Sequence, residues 1–242
     1  RFKNNVRLNI KQTDFSKDSI LIGARVGTGM LSMPKGKPGL AVVTSAIFDG
    51  GGLKKHSSDE LRRIFAGKTV TGSFSIGEDA FVYSGQTNKN DFADAMYLMT
   101  AYLVEPGFRE EAFRQFNNQI DPIYNQITHT PMGVFQDRVD RFIKGNDHRS
   151  GFPKRSELEK IKKEDIKSWL LPMLSHGYLE VGIVGDFDEE KIIEIASKTI
   201  GALPDRKSQK EKLEENRKLN FPKTDQIKEF VFQSEIPKAM IG

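Results

Sequence analysis

The chain has 242 residues, with 37 Lys and Arg against 33 Asp and Glu and a formal net charge of +4. Basic and acidic side chains alternate instead of gathering on one face, which argues against a nucleic-acid binder. Cysteine is absent, so disulfides, thiolate zinc sites and a cysteine nucleophile are excluded, and no apolar run approaches the roughly 20 residues of a membrane span.

The length suits one large domain with a core rich in Phe, of which there are 17. The chain opens at Arg1-Phe2 without an initiator Met and stops at Met240-Ile241-Gly242 inside a strand-like run. Both ends read as cuts, so a piece of a longer protein is expected.

Alternation of Val6, Leu8 and Ile10 with polar residues predicts a first strand over 6–12. After the polar turn 13–18, residues 19–26 form a second strand, ended by Gly27-Thr28-Gly29. A Pro/Gly loop covers 30–38. The nearly unbroken apolar run 39–48 predicts a buried helix, ended by Gly50, Gly51 and Gly52. Ser57 and Glu60 form a capping box for a short helix carrying Leu61, Ile64 and Phe65. Two strands follow near 69–76 and 79–86. Phe92, Ala95, Met96, Met99 and Leu103 mark a long helix. Phe113, Phe116 and Ile120 mark another, which Pro122 is expected to kink or end. A helix over about 132–144 comes next.

Ser156 and Glu159 suggest a second capping box, ahead of Ile161, Ile166, Trp169 and Leu170. Residues 178–184 form a strand, and Asp188 caps a helix that Gly201-Ala202-Leu203-Pro204 stops. The span 205–226 reads as a charged linker, with an alternating strand over 227–233 and a further segment at 236–241. The domains are therefore set at 1–204, 205–226 and 227–242. Clustered helices beside paired strands predict an α+β fold, a mixed or antiparallel sheet with helices packed on one face.

Motifs that could carry chemistry have simpler readings. Gly67-Lys68-Thr69 resembles the end of a phosphate loop, but Arg62 stands where the first Gly belongs, and a helix precedes it. Gly27 and Gly29 lack the third Gly of a dinucleotide fingerprint. Asp186 and Asp188 sit where a helix begins. His56, His129, His148 and His176 are too far apart for two to share a helical face toward a metal. No Gly-x-Ser-x-Gly elbow occurs. The residues alone offer no catalytic constellation.

Taken in order, several segments resemble the pitrilysin/insulinase zinc peptidases: Asn4-Asn5-Val6, the strand ending at Gly27, Gly39-Leu40-Ala41, Ser58-Asp59-Glu60-Leu61, Glu105-Pro106-Gly107-Phe108, Gly185-Asp186-Phe187 and Gly201-Ala202-Leu203-Pro204. In active members the helix after the Gly-Leu-Ala segment carries His-x-x-Glu-His, two imidazoles for zinc and a Glu that activates water, and a more distant Glu completes the site. Here the first His falls on Val42, the Glu on Ser45, the second His on Ala46, and the distant Glu on Pro122 or Ile123. None can bind zinc, and the resemblance implies that the site has become apolar core.

The resemblance further implies a processing-peptidase-like half-domain, the inactive third domain of a long bacterial member. That domain would have no cofactor of its own, with zinc in the N-terminal half of the parent. Its partners would be that zinc-bearing half and peptide substrates, with no nucleic acid and no membrane span. Its compartment would be the bacterial periplasm or cell envelope. A non-enzymatic scaffold subunit of the same fold is the alternative. No catalytic, metal or substrate-binding residue is carried over.

Overall fold

The computed structural model of the chain describes residues 1–223 and 228–231. Of the strand expected over 227–233, residues 228–231 are described and form no strand, which corrects that expectation there, while 227, 232, 233 and the segment 236–241 lie outside the described residues. Strands β1 (Arg7–Gln12), β2 (Ile20–Val26), β3 (Val70–Ile76), β4 (Phe81–Thr87) and β5 (Leu179–Gly185) make one sheet in the order β1-β5-β2-β4-β3. β1 runs parallel to β5, and the remaining pairs are antiparallel.

Successive side chains of a strand point to opposite faces. In β2, Ile20, Ile22, Ala24 and Val26 are buried, while Leu21 is 54% exposed on the other side. One face is thus covered and the other open, which is the α+β arrangement that the order of elements predicts.

The covering helices are α1 (Leu40–Gly50), α2 (Ser58–Ile64), α3 (Phe92–Val104), α4 (Glu110–His129), α5 (Pro131–Val134), α6 (Asp140–Ile143), α7 (Arg155–Leu158), α8 (Lys163–His176) and α9 (Glu189–Lys198). A one-turn π segment, Phe135–Val139, joins α5 to α6. Phe48 of α1 stacks on Phe74 of β3 with ring centroids 3.9 Å apart, and Phe81 of β4 meets the edge of Trp169 from α8 at 5.0 Å. Each such fully buried ring contributes about 1.5–3 kcal/mol through water removal.

Helix ends follow local chemistry. The Glu60 N–H donates to Ser57 Oγ at 3.2 Å and the Ser57 N–H to Glu60 Oε2 at 2.7 Å, the expected capping box. The Asp188 carboxylate accepts from the Lys191 N–H at 3.1 Å.

Two further expectations are corrected. Of the two outcomes expected at Pro122, the ending does not occur, since α4 runs through it to His129. The carbonyl that loses its helical partner belongs to exposed Asn118, where solvent satisfies it. The box expected from Ser156 and Glu159 lies two residues earlier: Glu157 reaches back to the Lys154 N–H at 2.6 Å, and Ser156 is inside α7. Glu159 is occupied by Arg155, at 2.8 Å.

The loop after α6 is tied by a forked pair. Arg149 Nε and Nη2 donate to the two Asp147 oxygens at 2.7 and 2.9 Å. The side chains are 13% and 17% exposed. The Arg149 hydrogen bonds pull the Asp147 carboxyl down to about 2 from an ordinary 3.8. A depressed folded-state pKa gives stability that is present above the unfolded value and lost as pH falls through the folded one. Asp147 should therefore contribute about 2 kcal/mol near neutrality, disappearing between about pH 4 and about pH 2. Urea midpoints at pH 6 and pH 2.5 check this. Asp147→Asn should narrow the difference between them, and an unchanged difference would show that the pair has no such part.

The start and the late part of the chain are strapped together. Asn4 Nδ2 donates to the carbonyls of Ile200 and Leu203 at 2.8 and 2.9 Å, and the Arg206 N–H donates to Asn4 O at 3.0 Å. Most of 205–220 is exposed, but Arg206 is 4% exposed, unlike a residue of a solvated linker. Its guanidinium donates to Leu174 O at 2.6 Å in the last turn of α8, where the helix dipole favours a cation. Desolvation pulls its pKa down to about 10, which leaves it charged at neutral pH.

Candidate functional site

α1 meets the sheet with one side and α4 with another. Leu40, Val43, Thr44, Ile47 and Phe48 are buried. Val42, Ser45 and Ala46, at spacings of three and four, share a different stripe. They look across to Ala112, Gln115, Phe116, Gln119 and Ile123, which recur every three or four residues on α4. Together these residues line a groove of about 660 Å³.

Helix periodicity thus brings together the three α1 positions singled out from the sequence. Of the two α4 positions, Ile123 lines the groove, and Pro122 is exposed outside it. The expectation that this site had become apolar core is corrected. Val42 and Ser45 are half-buried and Ala46 is exposed, because α4 stands off from this stripe of α1.

The lining decides what the groove can do. Val42, Ala46, Ala112, Phe116 and Ile123 offer hydrocarbon without lone pairs. Ser45, Gln115 and Gln119 can exchange hydrogen bonds with a peptide-like group, but none is a base able to take a proton from water near neutral pH. No group of three or more His, Cys, Asp or Glu among the described residues is arranged to hold a metal ion.

The other candidates are structural. His56, His129 and His176 are exposed on separate elements, and a ring nitrogen of His148 lies 3.2 Å from Met33 O. Lys68 Nζ donates to Asp94 at 2.5 Å, and Gly67 sits at φ +81° in the turn between α2 and β3, so this triplet cradles no phosphate. Asp186 pairs with Lys89 at 2.7 Å, separately from the helix-capping Asp188. Gly29, at φ +54°, would place a Cβ 2.4 Å from Gly77 O, which explains why the turn after β2 needs glycine there.

One polar residue beside the groove escaped sequence reasoning. Asp49, in the last turn of α1, accepts the Phe74 N–H of β3 through both carboxylate oxygens at 3.0 and 3.2 Å. The available signal was an acid at the C-terminal end of an apolar helix, where the helix dipole disfavours it.

No protein-family model matches the chain, and no curated protein matches it. Solved structures do. A protease from Helicobacter pylori is similar with a TM-score of 0.71 and 16% identity, over 86% of this chain and 50% of that one. The periplasmic protease PqqL from Escherichia coli is similar with a TM-score of 0.73 and 17% identity, over 91% of this chain and 24% of that one. A peptidase M16 inactive domain from Pseudomonas fluorescens gives 0.70 and 15%, over 87% of this chain and 51% of that one. At these identities the likeness is one of fold. The chain spans about half the length of the first and third structures and about a quarter of the second. The half-domain architecture expected from the sequence is the one these proteins share.

Proposed function

We propose that this chain is a non-catalytic half-domain of a zinc-dependent endopeptidase. It forms one wall of a peptide-binding chamber, while the zinc-bearing half of the same parent performs hydrolysis. The observation that carries the reading is the α1–α4 groove, which is lined by Val42, Ser45, Ala46 and Ile123 at the positions where the family resemblance expects zinc ligands and the catalytic Glu. A fold shared with segments of larger proteases supports it. A hydrocarbon lining with a few neutral hydrogen-bonding groups suits contact with a peptide chain better than attack on it. The bacterial envelope is the proposed compartment, since one structure of the same fold is a periplasmic protease. No helix among the described residues is long and apolar enough to cross a membrane.

The test is reconstitution. The parent reading frame should carry His-x-x-Glu-His about 400–500 residues upstream of Arg1, the length of two domains of roughly 200 residues. Peptide cleavage should require both halves, with zinc retained by the upstream one. Cleavage by this chain alone, or one tightly bound zinc per chain, overturns the reading. A parent with no such motif, and a complex with no peptidase activity, would point instead to a scaffold subunit of the same fold.

A further inference from the structure

The sheet ends on two unlike edges. β1 carries exposed Arg7 and Lys11 within its own sequence, a common protection against pairing with another chain. β3 reads Val-Thr-Gly-Ser-Phe-Ser-Ile, seven residues with neither a charge nor a proline. Among the described residues β3 pairs only with β4, so alternate N–H and C=O groups point away from the sheet. Uncharged, rich in β-formers and largely exposed, such a strand is a template for an added strand.

The middle of this edge is occupied. The outward Phe74 N–H is held by Asp49, and the two-residue alternation turns the Gly72 and Ile76 N–H groups to the same side. Asp49 is positioned by its neighbour, since Phe48 stacks on the Phe74 ring and fixes the last turn of α1 against β3. The acid gives α1 no advantage, because the helix dipole disfavours an anion at a helix C-terminus. Its carboxylate loses water on the side that meets β3, which pushes its pKa up although the residue as a whole stays exposed. The titratable groups facing it are the phenols of Tyr83 on β4 and Tyr102 on α3. The contact that benefits from Asp49 is the strand edge.

We infer that Asp49 guards this edge: its carboxylate fills the hydrogen-bonding position at the centre of β3 that a second copy of the chain needs for edge-to-edge pairing. Removing the carboxylate opens a run of outward groups from Gly72 to Ile76.

Sedimentation velocity over a concentration series tests this on the whole chain. Asp49→Ala should self-associate at least tenfold more tightly than the unaltered chain. Ser73→Lys added to Asp49→Ala places a charge on the exposed edge itself and should reverse the gain. Association by Asp49→Ala that Ser73→Lys leaves untouched overturns the inference, because it arises elsewhere; so does an unchanged mass distribution. Should Asp49→Ala not fold, hydrogen exchange on the unaltered chain decides. The Phe74 amide should exchange at least tenfold more slowly than those of Gly72 and Ile76, and equal rates would overturn the inference.

Discussion

Val42→His/Ala46→His/Ile123→Glu should convert the chain into a zinc binder with a Kd of about 1 µM or tighter, equivalent to about 8 kcal/mol. Residues 42 and 46 are one helical turn apart on one face of α1, and two imidazoles at that spacing can share a metal. Ile123 lines the same groove from α4 and would bring a carboxylate as the third ligand, leaving the fourth position to water. The open groove makes the substitution feasible. In a packed core an imidazole replacing Ala46 would overpack, typically at a cost of about 1–3 kcal/mol, but Ala46 is exposed and the groove holds about 660 Å³. Competition against a chromogenic zinc chelator reads the affinity. If the triple variant binds no more tightly than Ala46→His alone, α1 and α4 do not present these positions to a common point, and the reading of the groove as a former metal cleft loses its geometric basis.

Phe48→Ala should cost about 3–5 kcal/mol of stability. The ring is 2% exposed, stacks on Phe74 at 3.9 Å, and touches Tyr102 and Phe108 with centroids at 5.3 and 6.3 Å. It therefore joins α1, β3, α3 and the segment leading into α4. These neighbours sit on three separate parts of the fold, so the vacated space cannot close by moving one side chain, and the cavity persists. The loss is a large share of the roughly 5–15 kcal/mol that holds a domain folded. A urea titration should show a lower midpoint with an unchanged slope. A midpoint shift worth less than about 1 kcal/mol would mean that the cluster collapses around the gap.

α1 was legible because a ten-residue apolar run bounded by glycines leaves few alternatives, and the caps at Ser57 and Asp188 because a side-chain oxygen three residues from an orphan N–H is a local relation. That α4 would not end at Pro122 was not legible, because the cost of a helical proline depends on whether the freed carbonyl reaches water, and that follows from which side of α4 faces the core. The stripe of Val42, Ser45 and Ala46 could be placed on one face from spacing alone. Whether that face was packed or open depended on how far α4 stands from α1, a tertiary distance that residues 42–46 do not encode. Asp49 was missed for the same reason: its partner is a backbone N–H 25 positions away, on a strand whose register the sequence leaves open. Arg206 lay inside a stretch whose six basic and four acidic residues over 205–220 suggest solvent. Its burial follows from the docking of one residue against the end of α8.

The strap between Asn4 and Arg206 also separates spatial order from chain order. It sets two stretches some 200 positions apart side by side, since Arg1 Nη2 reaches Ser208 O at 3.1 Å and Asn5 Nδ2 reaches Arg206 O at 3.0 Å. A stretch such as 1–208, whose two limits lie together, can be spliced into a host loop with only a few connecting residues. Within 1–208 the same proximity allows a permuted order: new ends cut in the exposed turn 14–17, with 208 joined to 1, leave all five strands of the sheet intact.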